Sequence, residues 1–152
     1  EALQIRALTH HPAELPIEPR PLILIASGSG LAGILGILTR MEARYPAREH
    51  NLQHWLIYGE RDPEHDRIYT CCLKKQREDG VLTWLDRTYS RSKSLIDHAD
   101  RLLAQLEAGA VIYICGSADK IGAGAQDTLR QILGEKTCDR LSKAGRIRLD
   151  TY

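Results

Sequence analysis

Five consecutive apolar residues, Leu22-Ile23-Leu24-Ile25-Ala26, run directly into Ser27-Gly28-Ser29-Gly30 and then into Leu31 to Arg44, where apolar residues recur at helical spacing until Pro46. An uninterrupted apolar, β-branched run is the pattern of a strand buried on both faces, and such strands belong to parallel sheets covered by helices. A core that begins this way commits the chain to an α/β architecture.

The same alternation repeats along the chain. His54 to Tyr58 reads as a second strand, Glu64 to Glu78 as a helix and Val81 to Leu85 as a third strand. Asp97 to Leu106 reads as a helix, Ala110 to Cys115 as a fourth strand and Asp119 to Leu133 as a helix. Lys136 to Lys143 supplies a further turn or two, and Arg146 to Leu149 a final short strand. Right-handed crossovers between such strands give a doubly wound, mostly parallel five-stranded sheet with helices on both faces.

With 152 residues, the chain has room for one core and no second domain of ordinary size. Residues 1–20 carry Pro12, Pro16 and Pro19, with Pro21 next, a spacing that blocks helix and central strand alike, so this stretch reads as a connector ahead of a domain spanning residues 21–152. The chain opens on Glu1 with no signal-peptide pattern and reads as an excised or processed piece. A formal charge of +1 provides no whole-surface field for nucleic acid or anionic lipid, so any anion site must be local. No apolar run approaches the ~20 residues that cross a bilayer. Cys71, Cys72, Cys115 and Cys138 form no CxxC unit and stand at no zinc-ligand spacing to the histidines, which points to reduced thiols, a cytoplasmic setting and no metal site.

In doubly wound sheets ligands sit beyond the carboxyl ends of the strands, so the residues just after each strand are the candidates for chemistry. After the first strand, Gly28-Ser29-Gly30-Leu31-Ala32-Gly33 is a literal GxGxxG opening a helix, where main-chain N–H groups and the helix dipole favour a phosphate. A tight turn that merely packs helix on sheet is the alternative. The second strand ends at Tyr58-Gly59-Glu60, farther from the glycines than the acid of an ordinary dinucleotide fingerprint. After the third strand, Arg87, Tyr89, Ser90, Arg91 and Lys93 group hydroxyls and cations suited to a phosphate monoester, with a solvated basic loop as the alternative. After the fourth, Cys115-Gly116-Ser117 places a thiol at the sheet edge, where it is either a small buried hydrophobe or a neighbour of a ligand ring.

Taken together, these segments resemble the NADP-binding domain of the ferredoxin–NADP reductase superfamily, most closely that of the diflavin reductases and the sulfite reductase flavoprotein subunit. Pro21 to Ala32 is similar to the family's first strand and GxGTGxAP loop, and Tyr58-Gly59-Glu60-Arg61 to its second strand-end motif. Gly80 to Asp86 with Tyr89-Ser90-Arg91 resembles "GVLTxxD…SR", Ile112 to Ala118 resembles "IYVCGDA", and Arg148-Leu149-Asp150-Thr151-Tyr152 resembles the terminal "RDVY". The family's Thr is Ser29 and its Pro is Gly33, both mild changes, and the acid of "CGD" is Ser117. The family's "KxYxQ" reads Ile96, His98 and Asp100, which leaves NADH as an alternative to NADPH.

The resemblance implies that Gly28, Ser29, Gly30 and Leu31 hold a pyrophosphate, with Glu60, Arg61 and Gly116 also in the nucleotide site. It implies that Ser90 and Arg91 take the 2′-phosphate of NADPH, with Lys93 as a supporting cation. Cys115 and Asp150 would flank the nicotinamide during hydride transfer to FAD, and Tyr152 would stack on the flavin. It further implies an FAD-binding domain upstream in the same polypeptide, with residues 1–20 as its exit strand and linker, and a flavodoxin-like or membrane-anchored electron-transfer partner. Two other readings stay open: a free-standing NAD-dependent Rossmann dehydrogenase using Glu60 on the ribose, and a non-catalytic nucleotide-binding module.

Overall fold

A computed structural model describes residues 14–59, 69–88, 95–117 and 123–151. Five strands, β1 (Leu22–Ser27), β2 (His54–Gly59), β3 (Leu82–Thr88), β4 (Val111–Gly116) and β5 (Ile147–Thr151), form one sheet in the order β3-β2-β1-β4-β5. Every neighbouring pair is parallel. The helices are α1 (Gly30–Arg44), α2 (Thr70–Glu78), α3 (Ala99–Glu107), α4 (Ala123–Leu133) and α5 (Glu135–Lys143).

The apolar runs behave as their patterning requires. Leu22, Leu24 and Ala26 of β1 face one core with Ile34, Leu38 and Met41 of α1 and Leu73 of α2. Ile23 and Ile25 point the other way, toward Leu102 of α3, Leu129 of α4 and Cys138 of α5. All five of these β1 residues are fully buried, which is the condition that dispenses with polar alternation. Hydrophobic burial on both faces of one central strand therefore fixes the doubly wound arrangement.

Most sequence-based boundaries shift by a residue or two, among them the last strand, which runs over Ile147–Thr151 and so takes in Asp150, and two differ in kind. The third strand runs on to Thr88, so Arg87 is an exposed strand residue and does not belong to the following loop. The expected turn or two near Lys136 is a nine-residue helix, α5, which buries Cys138 and Leu141 and is entered through Gly134 at φ +82°. Cys71 and Cys72 are exposed at the start of α2.

Residues 14–20 form neither helix nor strand but are tied to the sheet. The Tyr113 hydroxyl of β4 donates to the Glu14 carbonyl at 2.5 Å, and the Arg148 guanidinium donates to the same carbonyl and to the Tyr113 hydroxyl at 3.1 Å. Arg20 reaches the Gly109 carbonyl at 3.3 Å. At the amino end of the sheet, His54 is fully buried, and its Nδ1 accepts the main-chain N–H of Leu22 at 3.0 Å. Burial pushes its imidazole down to about 4, so it is neutral at physiological pH, with the proton on Nε2. Among the described residues no atom partners that Nε2.

Candidate functional site at the carboxyl edge of the sheet

Because all five strands are parallel, their carboxyl ends lie along one edge. Chain order reverses direction between β1 and β4, the crevice in which doubly wound sheets hold their ligands. Residue pairing brings the expected site residues to that crevice. Ala26 of β1 is opposite Cys115 of β4, and Cys115 is opposite Asp150 of β5. On the other side Ser27 is opposite Gly59, which in turn is opposite Thr88.

The glycines of the first turn divide the work between them. Gly28 has φ +52°, a conformation other residues adopt only with strain, and its missing side chain faces open space. Gly30 opens α1 hard against β4: a Cβ there would lie 2.3 Å from the Cys115 carbonyl oxygen and 2.8 Å from the Gly116 Cα. No side chain fits, so Gly30 is what lets the start of the helix seat on the strand end. Gly116 itself has φ +146°, so the two backbones meet glycine to glycine. Gly33 is exposed, and a Cβ on it would be 3.9 Å from both the Cys115 Sγ and the Asp150 Oδ2.

Electrostatically the turn suits an anion. Ser29 stands at the N-cap of α1 without a side-chain capping bond, and the first turn of this 15-residue helix carries no acid. The positive end of the helix dipole is thus not neutralised from within its own first turn. The turn closes through Leu31 N–H to the Gly28 carbonyl at 3.2 Å and Ala32 N–H to the Ser29 carbonyl at 3.1 Å. Leu31 is fully buried and anchors it. These features fit a pyrophosphate: a glycine turn at a helix start, and a side-chain-free approach to the neighbouring strand.

Cys115 is only 2% exposed. Its burial, and to a smaller degree the adjacent Asp150 carboxylate, push the thiol up to about 12. It is therefore a neutral S–H beside a half-buried carboxylate, a poor nucleophile and a poor metal ligand. Among the described residues no group of three or more potential ligands could hold a metal ion, and no helix is long and apolar enough to cross a membrane.

Gly28, Ser29, Gly30, Leu31, Cys115, Gly116 and Asp150 thus converge on one crevice. Glu60, Arg61, Ser90, Arg91, Lys93 and Tyr152 lie outside the described residues. Gly33 was legible only as the last glycine of the GxGxxG turn, standing where the resembled family has Pro; its place beside the thiol and carboxylate depends on two strands far apart in sequence, and no local signal carries it.

No family model matches the chain. Several curated proteins do. Over 131 residues, 80% of this chain, it is 32% identical to the bifunctional cytochrome P450/NADPH–P450 reductase of Bacillus cereus. It is 27% identical over 150 residues, 87% of the chain, to the sulfite reductase [NADPH] flavoprotein alpha-component of Vibrio cholerae. To the human NADPH–cytochrome P450 reductase it is 32% identical over 124 residues, 76% of the chain. The matches cover 12%, 24% and 18% of those proteins, so the chain spans under a quarter of the length of these relatives. These relatives make the chain a homologue of the diflavin reductases, in keeping with the ferredoxin–NADP reductase-like family that its motifs resemble.

Proposed function

We propose that this chain is the nicotinamide-nucleotide-binding part of a flavoprotein reductase, presenting NADPH to FAD held on a domain upstream in the same polypeptide. The observation that carries this reading is the pairing of Cys115 with Asp150 beside the Gly28–Gly30 turn, at the point where strand order reverses. When bound, NADPH supplies the hydride and FAD accepts it; the protein contributes orientation and electrostatics.

Each residue then has a physical task. Gly28, Ser29, Gly30, Leu31 and Gly116 hold the pyrophosphate through main chain and the α1 dipole. Ser90 and Arg91, with Lys93, hold the 2′-phosphate by charge-assisted hydrogen bonds, and Glu60 and Arg61 border the nucleotide site. Cys115 meets the nicotinamide as an uncharged thiol, and Asp150 places a carboxylate beside it. Tyr152 supplies a flat apolar ring to shield the flavin when no nicotinamide stands there. Residues 1–20 link to the FAD domain, and electrons leave toward a flavodoxin-like or membrane-anchored partner on the cytoplasmic side.

Calorimetric titration of the chain with 2′-phospho-AMP and AMP tests the nucleotide assignment. The phosphorylated nucleotide should bind more tightly, and Arg91→Ala should erase most of the difference. Equal affinities would remove NADPH as the preferred cofactor and leave NADH. In the complete reductase, Cys115→Ala should slow flavin reduction more than it weakens nucleotide binding; an unchanged reduction rate would reduce Cys115 to packing.

A further inference from the structure

At the amino edge of the sheet, across it from the Gly28–Gly30 turn, the start of β4, the end of α5, β5 and residues 14–20 frame a cavity of about 500 Å3. Leu15, Pro16 and Val111 give it an apolar side, and Arg20, Arg146 and Arg148 line it with guanidinium groups. What holds Arg146 and Arg148 is uncharged. Arg146 donates to the carbonyls of Leu106 at 2.6 Å and Ala110 at 3.0 Å. Arg148 donates to the carbonyls of Gly145 at 2.8 Å and of Glu14, and to the Tyr113 hydroxyl at 3.1 Å. Among the described residues neither makes an ion pair, and the Arg146 Nη1 and Arg148 Nη2 have no hydrogen-bond partner. Arg20 does meet a carboxylate, that of Glu18 at 3.3 Å, in an exposed pair.

Neutral acceptors fix the two guanidinium planes without cancelling their charge. Burial, and then the charges of Arg20 and Arg140, hold the Arg146 guanidinium below its usual value, so like charges crowd at this edge. Capping the end of α3 needs one cation, and Arg146 supplies it. The further guanidiniums add a repulsion that the fold does not require. The four arginines 20, 140, 146 and 148 against the two carboxylates of Glu14 and Glu18 leave a charge of +2 around the cavity, which a dianion neutralises.

We propose that this cavity binds a small organic dianion, a phosphate monoester or a dicarboxylate, with Arg146 and Arg148 as fixed, uncompensated donors to its oxygens and Leu15, Pro16 and Val111 against its carbon skeleton. Bound there, the anion bridges residues 14–20 to β5 and fastens that segment to the sheet. The site is separate from the nucleotide crevice and does not depend on how that crevice is read.

Calorimetric titration of this chain with glycerol 2-phosphate and, separately, with glutarate tests the site and tells the two kinds of oxyanion apart. At least one should bind with a Kd below about 1 mM. Arg148→Gln should weaken that binding about tenfold and Arg20→Gln about threefold. Ser29→Asp, which puts a carboxylate into the Gly28–Gly30 turn, should leave it within about twofold, because the turn lies at the opposite edge of the sheet. Saturating anion should also slow cleavage by glutamyl endopeptidase at Glu18 several-fold, since only the fastened segment binds it. No binding of either anion overturns the proposal, as does binding that neither arginine variant weakens; Arg20→Gln decides alone where Arg148→Gln does not fold. Binding lost in Ser29→Asp would place the anion in the nucleotide crevice and overturn the second site. An unchanged cleavage rate would overturn the bridging of residues 14–20.

Discussion

Gly30 and Cys115 meet backbone to backbone: a single carbon added to Gly30 would come within 2.3 Å of the Cys115 carbonyl oxygen. That carbonyl belongs to an inner strand of the sheet and cannot yield without disturbing the pairing of β4 with β1 and β5. Gly30→Ala should therefore act as an overpacking change, costing on the order of 1–3 kcal/mol in urea unfolding. The same change should weaken nucleotide affinity at least tenfold, because it pushes the start of α1 off the strand end. Gly36 on the same helix has nothing within 4 Å of its would-be Cβ, so Gly36→Ala should leave stability equal or higher.

The buried His54 makes stability depend on pH in a definite direction. Its folded-state value of about 4 lies below the ordinary 6.5, so the unfolded chain binds the proton more readily. The stabilisation is complete above about pH 6.5 and is lost as pH falls toward 4, amounting to about 3 kcal/mol by linkage. His54→Asn keeps an acceptor for the Leu22 N–H but does not titrate. Urea denaturation across pH 4 to 7 should show a shallower acid limb for the variant than for the wild type.

Asp86 gathers the two tryptophans and α3 at one edge of the sheet. Its Oδ2 accepts from the Trp55 indole at 2.7 Å and lies 3.4 Å from Arg101, whose guanidinium stands about 5 Å from the ring centres of both Trp55 and Trp84. Trp55 is fully buried, so removing its acceptor strands an indole N–H. Asp86→Ala should cost about 1.5–3 kcal/mol, the range for a hydrogen bond to a charged group. Asp86→Asn, which retains an acceptor, should cost less.

Cysteine reactivity should sort by burial. Cys71 and Cys72 are exposed, whereas Cys115 is buried with its thiol raised to about 12. Iodoacetamide at pH 8 should modify Cys71 and Cys72 while peptide mass spectrometry finds Cys115 unlabelled, because the thiolate is the reacting species. Labelling of Cys115 on the same timescale would contradict the packing of α1 over β4.

Tyr113→Phe should loosen residues 14–20 without unfolding the sheet. The hydroxyl both donates to Glu14 and accepts from Arg148, so its loss removes part of a clasp at a cost of about 1 kcal/mol. Glutamyl endopeptidase should then cut at Glu18 several times faster than in the wild type.

Much of this architecture was legible because its signals are local. The run from Leu22 to Ala26 declares a doubly buried strand, and the glycines after it declare a turn into a helix. Thr88 was not legible as a strand end, since Asp86 and Arg87 break the apolar pattern; they fit because Asp86 is partnered by Trp55 and Arg101 and because Arg87 is exposed on an edge strand. His54 read as an ordinary strand opener, and nothing in its neighbours announces that its ring serves the start of β1. The thiol–carboxylate pair was expected from the resemblance of Cys115 and Asp150 to family motifs. Their adjacency follows from strand order, a property of the whole sheet.

That strand order also bears on how the chain comes into being. β1 lies between β2 and β4, and the tie from Arg20 to Gly109 closes across 89 residues. During synthesis, then, the most apolar strand emerges early and waits for a partner made much later. Until β4 leaves the ribosome, one edge of β1 has only solvent, a chaperone or another nascent chain to pair with. Stop codons placed before Val111 should yield insoluble product, and solubility should return only once β4 has been translated.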